Sequence, residues 1–107
     1  MKIVSYTELE AKEIEKSSKL KIRWLNDGGS NNFAVRHCEI EPGGYSPHHN
    51  HPWEHEIFVL EGKGTVLGIK KTKIISAGNL ISIPAEETHQ IRNNSKKILK
   101  ILCMIPK

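Results

Sequence analysis

Between Pro47 and Glu56 the chain reads Pro-His-His-Asn-His-Pro-Trp-Glu-His-Glu, so His48, His49, His51 and His55, four of its 6 histidines, stand together. Neutral imidazole is a strong ligand for divalent first-row metals, and a cluster this dense points to metal chemistry rather than to isolated core or surface histidines. Spacing sharpens the reading. Residues two apart on an extended chain project from one face, so His49 and His51 aim at one centre, and His55 keeps that parity if a strand resumes after Pro52. His48 and Glu56 then face the other way. A further imidazole, His89, comes from the distant segment Glu86-Glu87-Thr88-His89-Gln90.

Rings can converge only if stiff elements carry them. From Phe33 onward short runs rich in Val, Ile and Leu alternate with turn chemistry at Pro42-Gly43-Gly44, Glu61-Gly62-Lys63-Gly64, Lys70-Lys71, Gly78-Asn79 and Asn93-Asn94-Ser95. That cadence predicts an antiparallel all-β sandwich or barrel. The expected strands are Lys19 to Leu25, Phe33 to Glu41, Glu56 to Leu60, Thr65 to Ile69, Lys73 to Ser76, Leu80 to Ile83, His89 to Arg92 and Ile98 to Ile105. In Tyr6 to Ser18, Thr7 with Glu10 resembles a capping box and favours a short helix. Leu9 and Ile14 are out of helical phase, which favours a polar loop, and the two readings stay open.

At 107 residues the chain suits one domain, spanning 1-107 with a barrel core at about 33-105, because two cores would each be marginal. No apolar run approaches the ~20 residues of a membrane helix, and the N-terminus lacks the apolar stretch of a secretory signal. No membrane association and a cytoplasmic location are therefore expected. Cys38 and Cys103 lie in apolar runs and read as buried thiols rather than as a disulfide framework. The net charge of +4 comes from scattered lysines without a recognition helix or basic stripe, so no nucleic-acid partner is expected.

The two histidine segments also carry a family resemblance. Gly43, His49, His51 and Gly62 fall at the spacing of the first cupin motif, and Gly78, Pro84, His89 and Asn93 at the spacing of the second. The chain resembles a cupin, which implies a double-stranded β-helix, or jelly-roll barrel, around a metal held by His49, His51, His55 and His89. There are two departures. Glu86 replaces the inner glycine of the second motif, and His55 stands where the first usually has glutamate. Glu56 would serve instead only through a one-residue register shift or a bulge, so His55 is the preferred ligand. Together with the ending Leu102-Cys103-Met104-Ile105-Pro106-Lys107, the pattern resembles a subgroup of small cupins that bind manganese through four histidines.

That resemblance implies one divalent metal per chain, with Mn favoured and Fe, Ni, Zn, Cu or Co compatible. Four neutral protein ligands leave the ion its full charge and two open positions, the arrangement of a catalytic rather than a closed site. A dioxygenase-like oxidoreductase acting on a small organic molecule is the leading expectation. An isomerase or lyase using the ion as a Lewis acid, and a non-catalytic module binding a small ligand or sugar, are the alternatives. Trp53 is expected either to wall the pocket or to pack on a loop, and Trp24 to serve core or dimer packing. His37 is expected to be structural or exposed, with His48 and Glu54 outside the ligand set. A homodimer is expected, with Lys19 to Leu25 covering a partner's sheet.

Overall fold

The computed structural model describes residues 1–26 and 32–107. Eight strands are seen among them: β1 (Ser18–Trp24), β2 (Phe33–Tyr45), β3 (His55–Glu61), β4 (Lys63–Leu67), β5 (Thr72–Ser76), β6 (Leu80–Ile83), β7 (Gln90–Arg92) and β8 (Leu99–Pro106). All pairings are antiparallel, in the order β5-β4-β7-β2-β8-β3-β6 with β1 added on β2. The long strand β2 joins the two halves of this curled jelly-roll sheet. Its first part pairs with β8, from Phe33 opposite Pro106 to Ile40 opposite Leu99, and its far end pairs with β7 through Tyr45 and Arg92.

Period-two patterning fills the interior. Leu20 and Ile22 of β1, Ile40 of β2, Ile57 and Val59 of β3, and Leu99 and Ile101 of β8 are buried in one cluster. Each such side chain contributes about 1.5–3 kcal/mol of burial. Along β3 the alternation puts His55 on the same face as Ile57 and Val59, while Phe58 and Leu60 are exposed. Phe58 lies opposite Leu80, so an apolar strip runs along the outer face.

Several boundaries differ from expectation. Pro42-Gly43-Gly44 is not a turn but part of β2. Gly44 passes so close to β1 that a Cβ there would stand 2.6 Å from the Ser18 carbonyl oxygen, and the β1–β2 register slips between Ser18 and Leu20. Without a side chain the strand continues where a turn was predicted. The turn at Gly62 does form, with φ +90° and no room for a Cβ beside the Ile98 carbonyl.

The N-terminal segment resolves as neither open reading in full. Only Tyr6–Glu8 is helical, as a single 3-10 turn with Ser5 rather than Thr7 at its N-cap. The Thr7 hydroxyl pairs with that of Ser5, 2.9 Å away, so no capping box forms. Lys12 then bridges Ile22. β1 pairs with the chain's own β2, with Leu20 opposite Ile40.

Candidate metal centre

The loop between β2 and β3 and the segment between β6 and β7 meet through a two-way backbone bridge. His49 N–H donates to the His89 carbonyl at 3.1 Å, and His89 N–H donates to the His49 carbonyl at 2.9 Å. The strand resumes after Pro52, as His55's parity required. His49 sits in an isolated bridge, the chain bends at Pro52 and Trp53, and β3 begins at His55. His89 likewise lies in that bridge, one residue before β7.

The bridge brings three rings together. Ring centres are 5.2 Å apart for His49 and His51, 5.0 Å for His49 and His89, and 5.1 Å for His51 and His89. One nitrogen from each falls within 4.8 Å of the others. Backbone carbonyls aim two of the rings: His51 Nδ1 lies 3.0 Å from the Trp53 carbonyl, and His89 Nδ1 lies 2.8 Å from that of Glu87. Donation there places the Nδ1 proton and leaves Nε2 a free lone pair. His89 Nε2 is buried with no hydrogen-bond partner. An orphaned acceptor facing two more imidazoles fits a divalent ion with nitrogen ligands.

His55 stands beside this triad. Its ring is 5.3 Å from His51 and 5.7 Å from His89, and it is buried. Its Nε2 is engaged: the Arg36 guanidinium donates to it at 3.1 Å through Nη2. Glu56 faces away, its carboxylate accepting a 2.7 Å hydrogen bond from the Ser82 hydroxyl. Trp53 stacks on His51, rings 4.6 Å apart, and so walls the site. Trp24 is partly exposed and underlies Arg36, 5.2 Å from guanidinium carbon to ring centre, a role that core or dimer packing did not anticipate. His48 and Glu54 are exposed. His37 is buried on the other side of β2, stacked on Tyr6 at 4.2 Å.

Electrostatics keep the cluster ready for a cation. Burial first, then the neighbouring His89, His51 and His55, push His49 down to about 4. His49 is exposed by area, but its ring faces the crowded cluster, and the downward direction follows from that crowding. His89 is lowered too, by burial, against the opposing Glu87 carbonyl. Cys38 and Cys103 are free and buried, and both line the interior cavity with His55. The neighbouring Cys103, and then burial, hold Cys38 as a thiol.

Two spaces adjoin the imidazoles. An interior cavity of about 50 Å3 touches Arg36, Cys103, His49, His55 and His89, and a side cleft of about 590 Å3 reaches His89 past Thr88, Ile83 and Lys73. Arg36 is the residue that sequence reasoning missed. The available signal was parity, since Ala34, Arg36, Cys38 and Ile40 share one face of β2 and Arg36 breaks an apolar row.

The chain matches the family described as Cupin domain over residues 36–105 and belongs to that family. It is 30% identical over 81 residues to the 1-methylthio-D-xylulose 5-phosphate methylsulfurylase of Rhodospirillum rubrum, covering 76% of this chain and 52% of the relative. The chain thus spans about half the length of that curated relative. Among solved structures it is similar to the polyketide cyclase RemF from Streptomyces resistomycificus, with 30% identity, a TM-score of 0.92, and coverage of 99% of this chain and 79% of that one. A cupin-superfamily sugar phosphate isomerase from Silicibacter pomeroyi superposes with a TM-score of 0.87 at 18% identity, covering 99% and 76%, a likeness of fold alone. Among the described residues, no helix is long and apolar enough to cross a membrane.

Proposed function

We propose that the protein is a metalloenzyme that holds one divalent ion, manganese by preference, through His49, His51, His55 and His89, and acts on a small organic molecule. The observation that carries this reading is the triad of imidazole nitrogens within 4.8 Å, with the buried His89 Nε2 unpartnered. When bound, the ion supplies Lewis-acid polarisation of a substrate oxygen. The chain's own part is to orient and to exclude water. The Trp53 and Glu87 carbonyls fix ring direction, Trp53 covers His51, and burial favours the neutral form of His49 and His89.

Lewis-acid chemistry, as in an isomerase or lyase, is favoured over the dioxygenase-like reading by one feature. The proposed donors are all neutral, and the cation Arg36 stands 3.1 Å from one of them. Such surroundings oppose a rise in the charge of the ion, and so disfavour any cycle that oxidises the metal. The two relatives at 30% identity, a cyclase and a methylsulfurylase, are consistent with that choice. A homodimer closed over the strip at Phe58 and Leu80 completes the proposal, and sedimentation at high concentration checks it.

Metal analysis of protein expressed with manganese, followed by an oxygen-uptake screen with hydroxy-carbonyl compounds, tests the function. One ion per chain with turnover and no oxygen uptake is expected. Oxygen consumption coupled to product would restore the oxidoreductase reading, and absence of bound metal would overturn both.

A further inference from the structure

Arg36 is a cation set into the barrel wall with incomplete company. One guanidinium nitrogen, Nη2, donates to His55 Nε2 at 3.1 Å. Its Nε is buried and has no hydrogen-bond partner. Among the described residues no carboxylate pairs with it, whereas Arg23 holds Glu39 at 2.7 Å and Lys100 lies 4.0 Å from Glu61. Apart from Arg36 itself, the side chains around the interior cavity are imidazoles, thiols, aliphatics and the Ser46 hydroxyl, without a single carboxylate. Glu87, on the side cleft, acts on His89 instead. A buried N–H of a charged group is rarely left unsatisfied without a ligand to complete it.

Arg36 and a metal also compete for one lone pair. While Nη2 donates to His55 Nε2, that nitrogen offers nothing to an ion. Once His55 turns its lone pair to the metal, Nη2 loses its acceptor, and Nη2 and Nε form a free two-pronged edge. Trp24 beneath the guanidinium keeps its plane in place. Side-on pairing of such an edge with an oxyanion is the strong geometry for arginine, and lysine does not reproduce it. The adjoining cavity of about 50 Å3 has room for one small oxyanion group. Neutral ligands around a dication, with Arg36 alongside, give the interior a surplus of positive charge that a dianion would balance.

We infer that Arg36 is the specificity-determining residue of the barrel: it exchanges His55 for an oxyanion of the substrate, a carboxylate or a phosphate, when the metal is in place. This rests on the proposal that His55 joins the metal, and it narrows the substrate class to small oxyanion-bearing molecules.

The test is calorimetric titration of manganese-loaded protein with oxalate and, separately, with inorganic phosphate, alongside metal analysis of the same samples. Wild type should bind at least one of the two, and the tighter one names the oxyanion. Arg36→Met should weaken that binding by about 10-fold or more, the loss of a charge-assisted pair, while manganese affinity holds or rises because a competitor for His55 is gone. Arg36→Lys should keep the metal and recover only part of the anion affinity, and it reads the same question if Arg36→Met does not fold. Unchanged anion binding in either variant with full metal occupancy would overturn the role of Arg36 alone. Loss of metal in Arg36→Lys with the fold retained would overturn the exchange, since the arginine would then be supporting the site. A wild type that takes up no manganese would sink the metal reading itself and this inference with it.

Discussion

β3 carries His55 at one end and Glu61 at the other, and the two ends of the barrel that it joins are built differently. At the Glu61 end lies the larger space, about 750 Å3, lined by Lys63, Ser95, Lys96 and Lys97 without an imidazole. Its charges are solvated and ask for nothing. At the His55 end the interior cavity is about 50 Å3, yet it holds the orphaned His89 Nε2 and the orphaned Arg36 Nε. Chemistry is marked here by polar groups that have been taken from water and not yet repartnered, not by volume.

The largest effect is expected at the histidine end. His89→Ala removes the buried lone pair and should lower manganese affinity by more than about 100-fold, beyond what changes around a ligand shell usually cost. Plasma emission analysis after dialysis reads it, and full occupancy would end the account of the centre. Next in size is Gly62→Ala at the opposite end. A Cβ there would lie 2.3 Å from the Ile98 carbonyl oxygen, on a residue at φ +90°. A stability loss of about 2–4 kcal/mol is expected in denaturant titration, with metal stoichiometry unchanged.

A smaller effect separates the ends by pH. The folded-state pKa of His49 lies at about 4, below its ordinary 6.5, and His89 is lowered in the same direction. Between pH 6.5 and 4 the unfolded chain therefore binds protons that the folded chain refuses. Metal-free protein should lose stability as pH falls through that window and gain no further loss from His49 below it. Thermal melts at pH 7 and 4.5 check the sign. For the metal-loaded protein the same depression means weaker proton competition, so release of the ion should fall below the pH 6 to 5 range that unperturbed imidazoles would set.

The smallest expected change is a gain. Glu86 sits at φ +68°, where the cupin pattern has glycine. Glu86→Gly should relieve left-handed strain and stabilise the fold by at most about 1 kcal/mol, offset by a freer unfolded chain. A lower melting temperature would show that the Glu86 side chain has a role of its own.

Much of this was legible beforehand. Parity alone put His55 and Glu56 on opposite faces, because a period of two is a local property that the sequence carries openly. The turn residues at Gly62 and Asn93 were legible as well, although Asn93 does more than turn. Its amide donates to the Ile40 and Lys97 carbonyls at 2.7 and 2.8 Å while its oxygen accepts from Ser95, which fixes the loop before β8. What escaped depends on tertiary neighbours. Gly43-Gly44 looked like a turn because the approach of Ser18, which demands the glycine, comes from another strand. Thr7 and Glu10 looked like a cap because their local propensity shows no trace of the Lys12–Ile22 bridge that straightens the chain behind them. Arg36 was passed over because a lone arginine in a strand says nothing of His55 until β3 is laid beside β8.

The backbone bridge between His49 and His89 has a mechanical consequence. All of β3 to β6 lies in the loop that these two residues close, so an ion held by both rings acts as a clasp on that loop, much as a covalent cross-link would. Its removal should therefore be felt unevenly. The amides of His49 and His89 would become the fast-exchanging rim of an opened loop, while β2 and β8, paired outside it from Phe33 to Ile40, would keep their protection.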